Sequence, residues 1–177
     1  GTEIVARSPA DGYTLLMGNA GPMTVNPNLY LKLGYDTVKD FAPISMVSSY
    51  PFVLVSHPSL PVKNVRELIA MAKAKPEVLT YSTAGAGTMS HFAMELMQLL
   101  SGVKLTHLPY KGAAPAGIAV MSGEAHVSFL VMPVAQAQIR VNRLRGLGVA
   151  AKTRAPVIPQ VPTMEEAGVK GHIALQW

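Results

Sequence analysis

The sequence predicts an α/β fold built on a parallel sheet. Three observations carry that expectation. Strand-like and helix-like segments alternate along the 177-residue chain. The connections between them are too short for anything but parallel crossover units. Apolar residues reach 49% against 14% charged, enough for a real core and too apolar for a disordered chain. The length allows one domain or two small ones.

Thr2 to Arg7 reads as the end of a helix, closed by the turn-forming run Ser8-Pro9-Ala10-Asp11-Gly12. Tyr13–Met17 is a buried-strand candidate running into the small polar loop Gly18–Pro22. Asn26 as cap and Pro27 at the first position open a short helix to about Leu33. Strands are expected at Ile44–Ser49 and Phe52–Ser56, and His57-Pro58-Ser59-Leu60-Pro61 is a stiff entry to a second domain. Asn64-Val65-Arg66-Glu67 has the form of a capping box, followed by an apolar stripe at Val65, Leu68, Ile69 and Ala72 that Pro76 ends. A strand at Val103–Leu108, a helix over Ala114–Met121, a strand at Val127–Val131, a helix after Pro133 and a strand at Leu144–Ala150 continue the alternation. Residues 152–162 are Pro-rich and extended, Thr163–Glu166 caps a short helix stopped by Gly168, and Ile173–Trp177 returns as a strand.

The chain is organised around residues 79–101, a short strand ending near Thr83, a small-residue turn over Ala84–Thr88 and an amphipathic helix. Met89, Phe92, Ala93, Leu96 and Leu100 share one helical face, and Gly102 suits its end. Such a turn places free backbone N–H groups at the positive end of the helix dipole, where an anion binds without lysine or arginine. Thr88, Ser90 and His91 can add side-chain donors. A plain tight turn would use the same glycines for their positive φ. Gly85-Ala86-Gly87 lacks the third glycine of a dinucleotide fingerprint, and no Gly-Lys-Ser/Thr follows. In open sheets, ligands bind beyond the carboxyl ends of the strands, which describes four loops: 18–22, 84–91, 109–113 and 131–134.

Bulk properties exclude more than they assign. The net charge is +5, but the basic residues are spread out, with only Arg140, Arg143 and Arg145 loosely grouped, and no nucleic-acid motif is present. Without cysteine there is no thiol chemistry. No apolar run is long enough for a membrane helix. The chain opens on Gly1 without a secretory leader, so a removed signal or a fragment is expected. His57, His107, His126 and His172 have no metal-ligand spacing, no metal or cofactor is expected, and the ten methionines read as core filling.

Taken together, the motifs resemble a known family. Asp11-Gly-Tyr-Thr-Leu-Leu16, Tyr35-Asp36 with Asp40-Phe41-Ala-Pro43, Tyr81-Ser-Thr-Ala-Gly85 with Gly87, Pro109-Tyr-Lys-Gly112 with Ala114-Pro115, and Val161-Pro-Thr163 with Glu166-Ala-Gly168 succeed one another in an order similar to that of Bug-type (TctC-like) receptors of tripartite tricarboxylate transporters. The resemblance spans essentially the whole chain. It implies a periplasmic-binding-protein-like (type II) two-lobed fold that closes on a small carboxylate, held by backbone N–H groups, hydroxyls and waters. It also implies a periplasmic location and membrane transporter subunits as partners. On that reading residues 1–56 are a partial first lobe, 57–172 the second lobe and 173–177 a return strand. The family's opening strand and C-terminal helices are missing, and the edges left bare invite pairing with another copy.

By position, the binding loops fall on Asn19, Ala20 and Gly21 in the first lobe. In the second they fall on Ser82, Thr83, Ala84, Gly85, Gly87, Thr88, His91, Tyr110, Lys111 and Leu130. Many members carry Asp where this chain has Leu130, placed to meet a ligand amino group. Leucine there points to a plain mono- or dicarboxylate. For several residues a duller role stands beside this one: His91 as a cap of its own helix, Tyr110 as packing, Lys111 as a solvated surface charge. Two other functions compete. A hydrolase using Ser82 or Ser90 with His91 lacks a Gly-x-Ser-x-Gly elbow, and adjacent helical residues diverge by about 100°. An effector-sensing domain of a regulator would need a DNA-binding helix pair, which these residues lack. No catalytic residues are assigned.

Overall fold

The computed structural model describes residues 1–177. Its centre is a six-stranded sheet: β1 (Tyr50–Ser56), β2 (Thr80–Thr83), β3 (Thr106–Pro109), β4 (Val127–Val131), β5 (Arg145–Val149) and β6 (Leu175–Gln176). The strand order is β3-β2-β4-β1-β5, with β6 paired to the start of β1. The helices are α1 (Thr2–Ala6), α2 (Asn26–Leu29), α3 (Val65–Ala74), α4 (Met89–Ser101), α5 (Ala113–Met121) and α6 (Met132–Arg140).

Strand alternation explains why the sheet is covered on both faces. Along β1, Phe52 and Leu54 enter one core with Tyr81, Phe129, Leu147, Leu68, Met94 and Met97, beneath α3 and α4. Val53 and Val55 enter a second core with Leu130, Ala119, Val120 and Ala135, beneath α5 and α6. A strand buried on both faces is apolar at consecutive positions, as Phe52–Val55 is.

Local signals behave as chemistry requires. The Asn64 side chain accepts from Glu67 N–H (2.9 Å) and Glu67 accepts from Lys63 N–H (2.6 Å), closing the start of α3. Gly102 adopts φ 65° and its N–H donates to the Gln98 carbonyl, ending α4. Because Val103 N–H is also tied to Gln98, β3 begins at Thr106 rather than at Val103.

Several expectations are corrected. The sheet is mixed, not parallel: β2 runs parallel to β3 and β4, but β1 runs antiparallel to β4, β5 and β6. Alternation of strands and helices does not fix the direction of the entering strand, and β1 enters reversed. β1 lies inside the sheet, between β4 and β5. Tyr13–Met17 and Ile44–Ser49 are not strands; no partner strand flanks them, and Tyr13 and Ile44 are 93% and 81% exposed. Asn26 does not cap a helix, because a π-helical turn at Gly21–Val25 runs directly into α2, which ends at Leu29. Thr163 and Glu166 form the expected reciprocal cap, at 3.0 and 2.8 Å, yet close only a turn. Residues 152–162 form successive turns rather than an extended run, and the returning strand is limited to Leu175–Gln176. No helix is long and apolar enough to cross a membrane.

One buried group makes stability depend on pH. His172 stacks on Phe129 (5.0 Å between centroids), and its Nε2–H donates to the Ala93 carbonyl (2.7 Å). Its Nδ1 is buried without a partner. Burial holds the imidazole below its ordinary range, so the folded state binds fewer protons than the unfolded state as pH falls past that range. Burial depresses His107 and His126 in the same direction. The chain should lose stability on acidification from pH ~7.5 to pH ~5.5, the span in which free imidazoles gain their proton. Urea-unfolding midpoints at the two pH values check this, and His172→Gln, which keeps a donor for Ala93, should reduce the loss.

Candidate functional site

The loop between β2 and α4 is built by its own side chains. Gly85 and Gly87 have φ of 133° and 76°. At Gly87 a Cβ would also come within 2.8 Å of Leu29 Cδ2, so glycine lets the 26–30 segment lie against the loop. Gly85 N–H donates to Thr83 Oγ1 (3.2 Å), Gly87 N–H to His91 Nδ1 (3.3 Å) and Thr88 N–H to the Gly85 carbonyl (3.3 Å). Thr88 Oγ1 donates to the Gly85 carbonyl (2.7 Å), and Ser90 Oγ accepts from Ala84 N–H (3.0 Å) while lying 3.0 Å from Thr88 Oγ1. With the Thr88 proton on Gly85, the Ser90 proton goes to Thr88. Both hydroxyls are thus spent on the loop. The amides of Ala86, Met89 and Ser90 have no acceptor within the protein.

A cavity of about 670 Å³ opens beside this loop. It lies where the carboxyl ends of β2 and β4 meet the amino end of β1, because β1 is reversed. Ala84 to Ser90 supply the α4 side of its wall, save Gly85, and Ala113 and Ala116 bring the first turns of α5. Phe52, Phe129, Leu130 and Val131 form an apolar floor, and Tyr50 and Trp177 come from the paired ends of β1 and β6. The segment before the sheet closes another side with Met17, Asn19, Asn26 and Tyr30. None of the 23 lining residues is Asp, Glu, Lys, Arg or His. The positive ends of two helices therefore face a space free of charged side chains, and no side-chain carboxylate competes there.

Of the residues singled out from sequence, Asn19, Gly21, Ala84, Gly87, Thr88 and Leu130 line the cavity. Ala20, Ser82, Thr83, Gly85, His91, Tyr110 and Lys111 do not. Asn19 Oδ1 accepts from Gly21 N–H (3.2 Å), and Ala20 is buried beneath them. Ser82 Oγ donates to the Ala116 carbonyl (2.8 Å), and Thr83 Oγ1 pairs with His107 Nε2 (2.7 Å); both residues are fully buried. His91 turns to its own loop. Tyr110 packs against the second core, its phenol pushed up by the Glu124 carboxylate, and Lys111 is exposed. Neither Ser82 nor Ser90 hydrogen-bonds a histidine, and no three His, Asp, Glu or Cys residues group as metal ligands.

Sequence reasoning missed Tyr50, Phe52, Phe129 and Trp177. Their approach follows from the reversal of β1 and its pairing with β6, for which no local motif exists. Phe129 and Leu130 are adjacent on β4, so the cavity reaches past the strand's end into the sheet.

The likeness to known proteins covers the same elements. Residues 1–177 match the family profile described as tripartite tricarboxylate transporter family receptor, TctC. The chain is 35% identical to protein BugT of Bordetella pertussis over 178 aligned residues, which include all of this chain and 55% of BugT. Among solved structures, R. palustris Rpa4515 with adipate superposes with a TM-score of 0.93 at 34% identity, over 99% of this chain and 59% of that one. MatC (Rpa3494) from Rhodopseudomonas palustris with bound malate superposes with a TM-score of 0.91 at 30% identity, over 99% of this chain and 60% of that one. The chain thus spans between half and two thirds of the length of these relatives. It belongs to the TctC family of tripartite tricarboxylate transporter receptors.

Proposed function

We propose that this chain forms the carboxylate-holding part of an extracytoplasmic, periplasmic receptor that passes a small carboxylate to the membrane subunits of a tripartite tricarboxylate transporter. One observation carries the reading: three amides of the turn into α4 and its first residues, on Ala86, Met89 and Ser90, lack an acceptor in the protein and belong to residues lining a cavity without charged side chains. Hydrogen bonds from such amides to an ionised acceptor are worth about 1.5–3 kcal/mol each, more than neutral pairs. The adipate and malate bound by the two solved relatives support the same ligand class.

Leu130, 3% exposed in the cavity floor, favours a ligand without an ammonium group at that end. The sheet gives β1 to the same unit as β2–β5, so we place the boundary of the first lobe just before Tyr50 rather than at residue 56. The exposed apolar side chains of Ile4, Leu15, Leu31 and Ile44 support a covered face over residues 1–49, either by the rest of a lobe or by a second copy. Sedimentation velocity at several concentrations separates the two.

Thermal-shift measurement with adipate, malate and the uncharged adipamide tests the main reading. A carboxylate at ~100 times its Kd should add about 2.7 kcal/mol of stability, a rise of several degrees, while adipamide adds nothing. Equal shifts with adipate and adipamide would remove the anion seat from the account. So would no shift with any carboxylate, both on this chain and on a longer one.

A further inference from the structure

His91 does not line the cavity, yet it is tied to it. Its Nδ1 accepts from Gly87 N–H (3.3 Å), and its ring stacks on His107 at 4.4 Å and 13°. His107 stacks in turn on Tyr81 at 4.8 Å and 12°, and its Nε2 holds Thr83 Oγ1, the acceptor for Gly85 N–H. Two imidazoles thus brace both glycines of the loop from behind. We propose that His91 is a positioning residue: as a neutral ring it holds the 84–90 loop in its carboxylate-receiving shape, and on gaining a proton it lets the loop go. The proposal rests on the receptor reading above and names a control on that same site.

The chemistry is one of acceptor and donor. Accepting from Gly87 requires a bare lone pair on Nδ1. A proton there sets two N–H groups against each other, and the bond is lost. His107, stacked behind the ring, is held low by burial first and by its neighbour His91 second. The other titratable groups around the ring are Glu95 on α4, whose Oε1 lies 3.8 Å from His91 Nε2, and Tyr81 on β2, which donates to Glu95. From the opposite side, the Tyr30 hydroxyl reaches the Gly87 position. The charge gained on His91 acts on the ligand only from behind the loop, because the ring does not line the cavity, whereas the lost bond acts on the cavity wall itself. The lost loop geometry therefore decides the sign, and binding weakens in acid.

The ¹⁵N–¹H resonance of Gly87, followed from roughly pH 8 to pH 5 where imidazoles titrate, reads this without any ligand. In the unaltered chain it should move with the His91 ring. In His91→Asn, whose side-chain oxygen accepts at every pH, it should stay still, and in His91→Leu it should sit at the acid position throughout. Adipate affinity, measured by calorimetry, should fall roughly tenfold more between pH 8 and pH 5.5 in the unaltered chain than in His91→Asn, the two sharing the ligand's own ionisation. A Gly87 amide that ignores the titrating ring, or an equal acid loss in both proteins, overturns the proposal. If adipate binds neither protein at any pH, the receptor reading is in difficulty, and the Gly87 shift still decides this one.

Discussion

Replacing Leu130 with Asp should lower the affinity for a carboxylate by two orders of magnitude or more. Leu130 sits on β4 in the floor of the cavity, 3% exposed, with its methyl groups directed over Gly117. No charged side chain lines the cavity to pair with a new carboxylate. Two like charges about 5 Å apart at an effective dielectric near 20 repel by about 3 kcal/mol, roughly a hundredfold in Kd. Leu130→Asn has the same shape without the charge, and it loses the same packing over Gly117. The difference between the two variants therefore isolates electrostatics. Calorimetry with adipate at about pH 8, well above the range of a free aspartate, makes the comparison. Equal affinities for the two variants would mean that no anion sits near β4. A ligand bearing an ammonium beside its carboxylate should lose less in Leu130→Asp, because the new carboxylate has a charge to meet.

The parts of the molecule readable in advance are those whose causes are local. The stretch 79–101 forms its strand, glycine turn and helix because the small residues and Gly102 act within one or two turns of chain, but the buried face of α4 is Ser90, Ala93, Met94 and Met97, not the expected Met89, Phe92, Ala93, Leu96 and Leu100, of which Phe92 and Leu100 are exposed. The cap joining Asn64 and Glu67 and the limits of β4 at Val127 and Val131 are of the same kind. Strands, however, need partners, and a pattern cannot show whether one exists. Tyr13–Met17 and Ile44–Ser49 have strand composition and remain unpaired, while Phe52–Ser56, little different in composition, becomes the centre of the sheet. The direction of β1 is equally non-local, and it alone brings Tyr50 and Phe52 to the cavity. Hydroxyl roles fail for a further reason. By sequence Thr88 and Ser90 can donate outward, but a loop this tight must satisfy its own carbonyls and amides first, and their protons are used there. His91 follows the same logic, since the nearest donor to its ring is the Gly87 amide of its own loop.

Truncating Leu54 to Ala should cost about 3–4 kcal/mol, near the middle of the range for buried leucines. Leu54 is fully buried on β1, opposite Phe129 of β4 and Gly148 of β5. The cost of such a change depends on how far the surroundings can fall into the hole, and here they are held. β1 is hydrogen-bonded on both sides, so its backbone cannot shift toward either neighbour without breaking a ladder. Opposite Leu54, Gly148 has no side chain to offer, and the space a Cβ would take there is already filled by Met164, whose Sδ lies 2.6 Å from that point. Met164 is a flexible side chain able to lean inward, and its relaxation keeps the cost below the top of the range. For a chain of this size each kcal/mol moves the melting temperature by about 2–4 °C, so a fall near 10 °C is expected. Leu100→Ala, on the half-exposed side of α4, should stay within about 1 kcal/mol and serves as the control. A loss below about 1 kcal/mol at Leu54, by urea titration and by thermal melt alike, would mean that β1 is not clamped at the middle of the sheet. The reversed strand would then no longer be available to carry Tyr50 and Phe52 to the cavity, and the site would lose its apolar floor along with its frame.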